Sequence, residues 1–146
     1  MNIEATALVG LYRIVPEVHL DDRGEFWRSY CRQDLAENGL KFEVCQSNVS
    51  INPYQYTLRG FHYQRPPSTE RKILTVVKGA LHAVIVDVRP DSPTFTHHES
   101  FRFEIGDRSS LYVPDGCATG FLTLVEDTIV HYQMSDYFQP GNYTGF

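Results

Sequence analysis

The segment LRGFHYQRPPSTERK, residues 58–72, places a histidine between two fixed cations, Arg59 and Lys72. The imidazole of His62 has three plausible employments. It can ligate a metal, it can move protons near neutral pH because its ordinary pKa is about 6.5, or it can sit satisfied inside a polar loop. Lys72 opens the next apolar run and reads either as an exposed strand start or as a charge held over a site. A single histidine does not choose among these, so the elements that carry it must.

Those elements are short β-patterned runs. KILTVVKGALHAVIVDVR reads as two long apolar strands with a turn at Lys78-Gly79, and GFLTLVEDTIVHYQM as a second hairpin turning at Glu126-Asp127. TFTHHESFRFEI gives another strand, SLYVPDG ends a further one at a Pro-Asp-Gly turn, and FWRSYC and KFEVCQSNVSI are rich in aromatic and β-branched residues. Only RQDLAENG looks helical, stopped by Asn38-Gly39. Apolar residues at consecutive positions in AVIVDV predict a strand covered on both faces. The pattern predicts an all-β jelly-roll barrel with minimal helix, one domain over residues 1–146, with one sheet buried in a dimer.

Bulk composition narrows the function classes. The chain has 146 residues, 42% hydrophobic and 13% aromatic, which are globular values. Its formal charge is −5 and no basic run occurs, so nucleic-acid binding has no electrostatic support. The first residues, MNIEATALVG, lack a basic start followed by a long apolar core, and no span is long enough for a membrane helix. Cys31, Cys45 and Cys117 are odd in number without CxxC spacing, as suits a reducing cytoplasm.

Metal-binding barrels of the cupin type use an H-x-H pair, a later Glu and a histidine after a P-x-G turn. Here the pair reads His62-Tyr63-Gln64, and Thr119 stands in PDGCAT where the last histidine would be. His97-His98 would point to opposite faces of a strand. One imidazole is too few donors for a transition metal, so no metal is expected.

The motifs VCQSNVS, LRGFHYQRPP, VVKGALHAVIVDVRPDSPTF, LYVPDGCATGF and YQMSDYF occur in one order. Together they resemble the dTDP-4-dehydrorhamnose 3,5-epimerase family, from about Val15 to Phe138. The resemblance implies a cupin-like β-barrel, usually a homodimer, acting without cofactor on a nucleotide-linked 4-keto-6-deoxyhexose. The carbonyl acidifies the C3 and C5 hydrogens, so epimerisation needs a base, an acid across the ring, and a cation facing the enolate oxygen. By motif match His62 would be the base, Lys72 the cation at O4 and Tyr132 the acid. Arg59 and Arg23 would serve the diphosphate, where a guanidinium fork suits phosphate oxygens. Gln46 and Asn48 match a Q-x-N pair lining the nucleotide and sugar site, and Phe138 and Thr119 fall within matched segments. In DDRGEF, which matches D-x-R-G-x-F, Arg23 and Phe26 would complete a neighbour's pocket.

Four departures bear on activity. Ala83 stands where the family commonly has a strand aspartate, Thr119 where it has a histidine, and Arg28 where an acidic residue lies near the base pocket. The chain also stops at NYTGF, before the tryptophan–aspartate segment whose aspartate orients the family's base, leaving Asp87 or a neighbour's carboxylate to compensate. Arg28 and Ser47 lie in nucleotide-facing segments, so CDP- and GDP-linked sugars stand beside dTDP. The leading expectation is an epimerase acting at C3, with or without C5, in deoxysugar synthesis for surface polysaccharide or glycosylated metabolites. The alternatives are a 3,4-ketoisomerase of the same substrates, for which a histidine pair is expected, and a non-catalytic sugar-nucleotide-binding cupin.

Overall fold

Alternation of side chains sets which way each strand faces. In the strand Leu81–Asp87 (β8), Leu81, Ala83, Ile85 and Asp87 are buried while His82, Val84 and Val86 are half-buried. Thirteen strands and one helix occur among residues 1–145, which the computed structural model describes. The first sheet holds six antiparallel strands in the order β1 (Asn2–Ala5), β2 (Tyr12–Val15), β10 (Ser110–Val113), β7 (Lys72–Lys78), β12 (Thr128–Met134) and β5 (Gln46–Asn52). The second holds β13 (Tyr143–Gly145), β6 (Leu58–Gln64), β11 (Cys117–Thr123), β8 and β9 (His98–Phe103). A two-stranded ribbon, β3 (Val18–Asp21) with β4 (Gly24–Trp27), joins neither.

The two large sheets face one another across a shared core. Leu74, Val76, Leu111, Val113 and Val130 from the first meet Leu81, Ala83, Ile85, Phe103, Cys117 and Phe121 from the second. This is the expected cupin-like jelly roll. The only helix among the described residues, α1 (Arg32–Glu37), ends at Asn38 and at Gly39, whose φ of +78° suits glycine. Its Leu35 packs with Ile14, Leu40, Phe42, Ile73 and Tyr112 on the outer side of the first sheet. Strands buried on both faces are β7, at Ile73 to Val76, β10, at Ser110 to Val113, and β11, at Cys117 to Phe121. Within one chain the outer face of β8 is half-buried.

Both expected hairpins are instead corners. β7 pairs with β10 and β12, while β8 pairs with β11 and β9, so Lys78-Gly79 carries the chain from one sheet to the other. The Glu126-Asp127 turn likewise joins β11 of one sheet to β12 of the other. The corners lock together: the Leu124 N–H donates to the Ala80 carbonyl at 2.8 Å, and the Thr128 hydroxyl donates to the same oxygen at 3.3 Å. Gly79 has φ +90°, and a Cβ there would lie 2.8 Å from the Cα of Thr128, so this close approach needs glycine. A short turn between apolar runs looks the same in sequence whether the strands then pair or part. Among the described residues, no helix is long and apolar enough to cross a membrane.

Candidate active site

At one end the sheets part around a cavity of about 570 Å³. His62 and Thr119 reach it from the second sheet, where they are paired in register between β6 and β11. Lys72, Tyr132, Gln46 and Asn48 reach it from the first sheet, on β7, β12 and β5. Arg59 and Phe138 also line the wall. Gly60 shapes this junction: its φ is +113°, and a Cβ would lie 2.5 Å from the Cα of Gly120 and 2.6 Å from the Thr119 carbonyl. No side chain fits between β6 and β11 there.

The electrostatics suit the residue types. Burial first, then the charges of Lys72 and Arg59, hold the His62 pKa below its ordinary 6.5, so the imidazole is neutral at pH 7 with a free lone pair. Tyr132 is pushed up to about 12, chiefly by burial and against the pull of Arg59 and of a hydrogen bond with Ser50; it stays protonated. Lys72 is 13% exposed and forms an ion pair with Glu70, its Nζ 2.9 Å from Oε1. Arg59 Nε donates to Asn52 Oδ1 at 2.6 Å. Gln46 Oε1 accepts from the Phe138 N–H, which draws that ring to the wall. The hydroxyl of Thr119 is buried and has no hydrogen-bond partner among the described residues.

The imidazole of His62 makes no hydrogen bond to a described residue. The ring of Tyr143 lies 5.1 Å from its ring at 35°, because β13 pairs with β6 and sets Gly145 opposite His62. Asp87 makes no hydrogen bond to the His62 ring. It sits at the C-terminal end of β8, opposite Cys117, fully buried and bound by Arg89, Ser92 and Thr94. The side chain of Asp87 is spent on the loop that follows it.

Three expected site residues lie outside this cavity. Arg23 is 89% exposed and its side chain is bound to Asp21 on the ribbon, and Phe26 stacks on His19 there. Arg28 lies near α1, where the Cys31 hydrogen bond, the N-terminal amine and Arg28 together hold the Asp34 carboxyl below its usual range. A place for Arg28 at the nucleotide therefore has no support within one chain. Glu70, Tyr143, Phe121 and Ser50 were missed. Glu70 sits in STERK, which reads as a solvated charge run, and Tyr143 belongs to a three-residue strand with no apolar run to mark it. No group of three or more His, Cys, Asp or Glu among the described residues could hold a metal ion.

A family model described as dTDP-4-dehydrorhamnose 3,5-epimerase matches residues 5–146. The chain belongs to that family. It is 34% identical over 135 residues to the dTDP-4-dehydrorhamnose 3,5-epimerase of Methanothermobacter thermautotrophicus, covering 92% of this chain and 72% of the relative. Among solved structures it resembles the Bacillus anthracis enzyme of that name, with TDP and PPi bound, at a TM-score of 0.95 and 35% identity over 99% of this chain and 82% of that one. It also resembles a 3'-monoepimerase from Streptomyces bikiniensis in complex with dTDP-quinovose, at a TM-score of 0.91 and 29% identity over 97% of this chain and 72% of that one.

Proposed function

We propose that this member of the epimerase family inverts a dTDP-linked 4-keto-6-deoxyhexose at C3, with C5 open to the same chemistry. The observation that carries the reading is that a neutral histidine and a protonated tyrosine enter one cavity from opposite sheets. His62 takes the C3 proton into its lone pair, and the electron pair moves onto O4 as an enolate. The ammonium of Lys72 faces that oxygen, where charge develops only as the reaction proceeds. Tyr132 returns a proton to C3 from the other face, and solvent later carries the proton held by His62 back to the tyrosinate. Arg59 serves the diphosphate, and Gln46, Asn48, Thr119 and Phe138 line the sugar and nucleotide. TDP in the B. anthracis neighbour and dTDP-quinovose in the S. bikiniensis one favour dTDP over CDP or GDP.

The same reading includes a homodimer and a cofactor-free reaction. The ribbon exposes Leu20 and Phe26 at 78% and 66%, and the edge strand β5 exposes Val49 and Ile51 at 63% each, a cost that a second copy would remove. Arg23 and Phe26 of that copy would then reach the cavity they miss within their own chain. Sedimentation should give a dimer at micromolar protein; a fully active monomer sinks this part. The decisive experiment is NMR in deuterium oxide with dTDP-, CDP- and GDP-4-keto-6-deoxyglucose supplied separately, before and after chelation. Label at C3 with inversion, from the dTDP sugar and unaffected by chelator, is the expected result. Binding without any label would favour the non-catalytic cupin, and label with the carbonyl moved to C3 the ketoisomerase.

A further inference from the structure

Glu70 lies in the loop between β6 and β7, two residues ahead of Lys72, with a side chain only 2% exposed. Both of its oxygens are engaged. Oε1 is paired with the Lys72 ammonium at 2.9 Å, and Oε2 accepts from Gln64 Nε2 at 2.5 Å. Gln64 is itself 3% exposed; its Nε2 also donates to the Tyr137 carbonyl at 3.1 Å, and its Oε1 accepts from the Gln139 N–H at 2.7 Å. One buried chain of bonds thus runs from the segment carrying Phe138, through Gln64 and Glu70, to the ammonium at the cavity wall. A carboxylate this deep is tolerable only when paired and hydrogen-bonded. A lysine stem with four rotatable carbons has no fixed end point of its own. Lys72 has no other ion-pair partner among the described residues, so Glu70 sets where its nitrogen rests.

Building on the epimerase reading, we infer that Glu70 is the positioning residue for Lys72. It holds the ammonium through their ion pair, keeps it turned to the developing O4 charge, and through Gln64 ties that position to the segment beside Phe138. Glu70 does not touch substrate. Its effect belongs to the transition state, not to binding.

Glu70→Gln keeps the size but leaves one acceptor oxygen for two donors, Lys72 and Gln64. It should lower kcat for C3 exchange of dTDP-4-keto-6-deoxyglucose by roughly 100-fold, the scale of a displaced catalytic group. KM and the affinity for dTDP should stay within about twofold. In a Lys72→Met background Glu70→Gln should change exchange by less than about twofold, since nothing remains to be aimed. A second readout needs no substrate. Lys72→Met strands a buried carboxylate and should lower the thermal midpoint, and adding Glu70→Gln should recover part of that loss. Wild-type exchange in Glu70→Gln overturns the inference, as do losses in kcat and dTDP affinity that move together, or effects of the two substitutions that simply add. If the wild-type protein labels no sugar at all, the epimerase reading has failed first and this one falls with it; a labelled wild type with an unaffected Glu70→Gln removes this one alone.

Discussion

The two ends of the second sheet treat polar groups in opposite ways. At the end of β8, Asp87 is fully buried, and every direction around it is filled. Arg89 donates from Nε and Nη2 at 2.8 and 2.7 Å and from its backbone at 3.0 Å, with the hydroxyls of Ser92 at 2.5 Å and Thr94 at 2.6 Å. At the cavity, among the described residues, the buried Thr119 hydroxyl has no hydrogen-bond partner, the His62 imidazole makes no hydrogen bond, and Lys72 has Glu70 as its one ion-pair partner. Folding alone favours the first arrangement, because an unsatisfied buried polar group costs about 1–3 kcal/mol. Open valences gathered at one cavity are what a bound polar ligand would fill. The comparison separates a carboxylate that builds the fold from groups held ready for chemistry.

The largest effect should come from removing the base. His62→Ala should reduce both C3 exchange and inversion by about a thousandfold, within the range that general-base catalysis contributes. Its thermal midpoint should hardly move, since the ring makes no hydrogen bond to a described residue. Tyr132→Phe should separate the two halves of the reaction, with exchange at C3 persisting and inversion lost. Wild-type exchange rates in His62→Ala would reject the site assignment outright.

Asp87→Ala should give the reverse profile. Removing one partner of a buried, hydrogen-bonded ion pair typically costs about 3–5 kcal/mol of stability. Denaturant unfolding should show that loss, while the protein that remains folded keeps its kcat. A drop in kcat at full folding would mean that Asp87 serves the chemistry after all.

The sequence carried the strands well and their partners poorly. Alternating apolar residues mark β6, β7, β8, β11 and β12, but whether Lys78-Gly79 joins paired strands depends on Thr128, some fifty residues away in the chain, which packs against Gly79. Pairing is a tertiary decision, and periodicity does not contain it. The site was legible where residue type limits chemistry, as at His62, Lys72, Tyr132 and Arg59. It was not legible at Glu70, because an acid beside Arg71 and Lys72 reads as solvated until the fold buries it. Asp87 failed in the opposite sense: it was a candidate catalytic partner only while Arg89, Ser92 and Thr94 were not seen to close around it.

The pH dependence should divide the two ends again. His62 is held below its ordinary 6.5 by burial and by Lys72 and Arg59, so the acid limb of kcat/KM for exchange should have its midpoint below pH 6.5. For Asp87 burial raises the pKa but the bonds from Arg89, Ser92 and Thr94 outweigh it, and the net value lies below the ordinary 3.8. A depressed carboxylate contributes stability that is present above the unfolded value and is lost as pH falls through the folded one. Activity should therefore fade at a pH below 6.5 while the fold persists to pH values under 3.8. An acid limb at or above 6.5 would contradict the burial and the cations around His62.

The smallest effect gives the sharpest contrast, because its sign differs between stability and activity. Thr119→Val keeps the shape of the side chain and deletes a buried hydroxyl that has no partner among the described residues. With nothing bound, that deletion removes an unsatisfied group, and stability should rise by about 1 kcal/mol. The same hydroxyl, set opposite His62 in the β6–β11 pair, is available to a sugar oxygen, so kcat/KM should fall by about tenfold, the loss of one ordinary hydrogen bond. Differential scanning calorimetry and exchange kinetics on the same preparation measure both quantities. A variant both less stable and fully active would show that Thr119 belongs with Asp87 in the fold; one more stable and less active places it with His62 in the site.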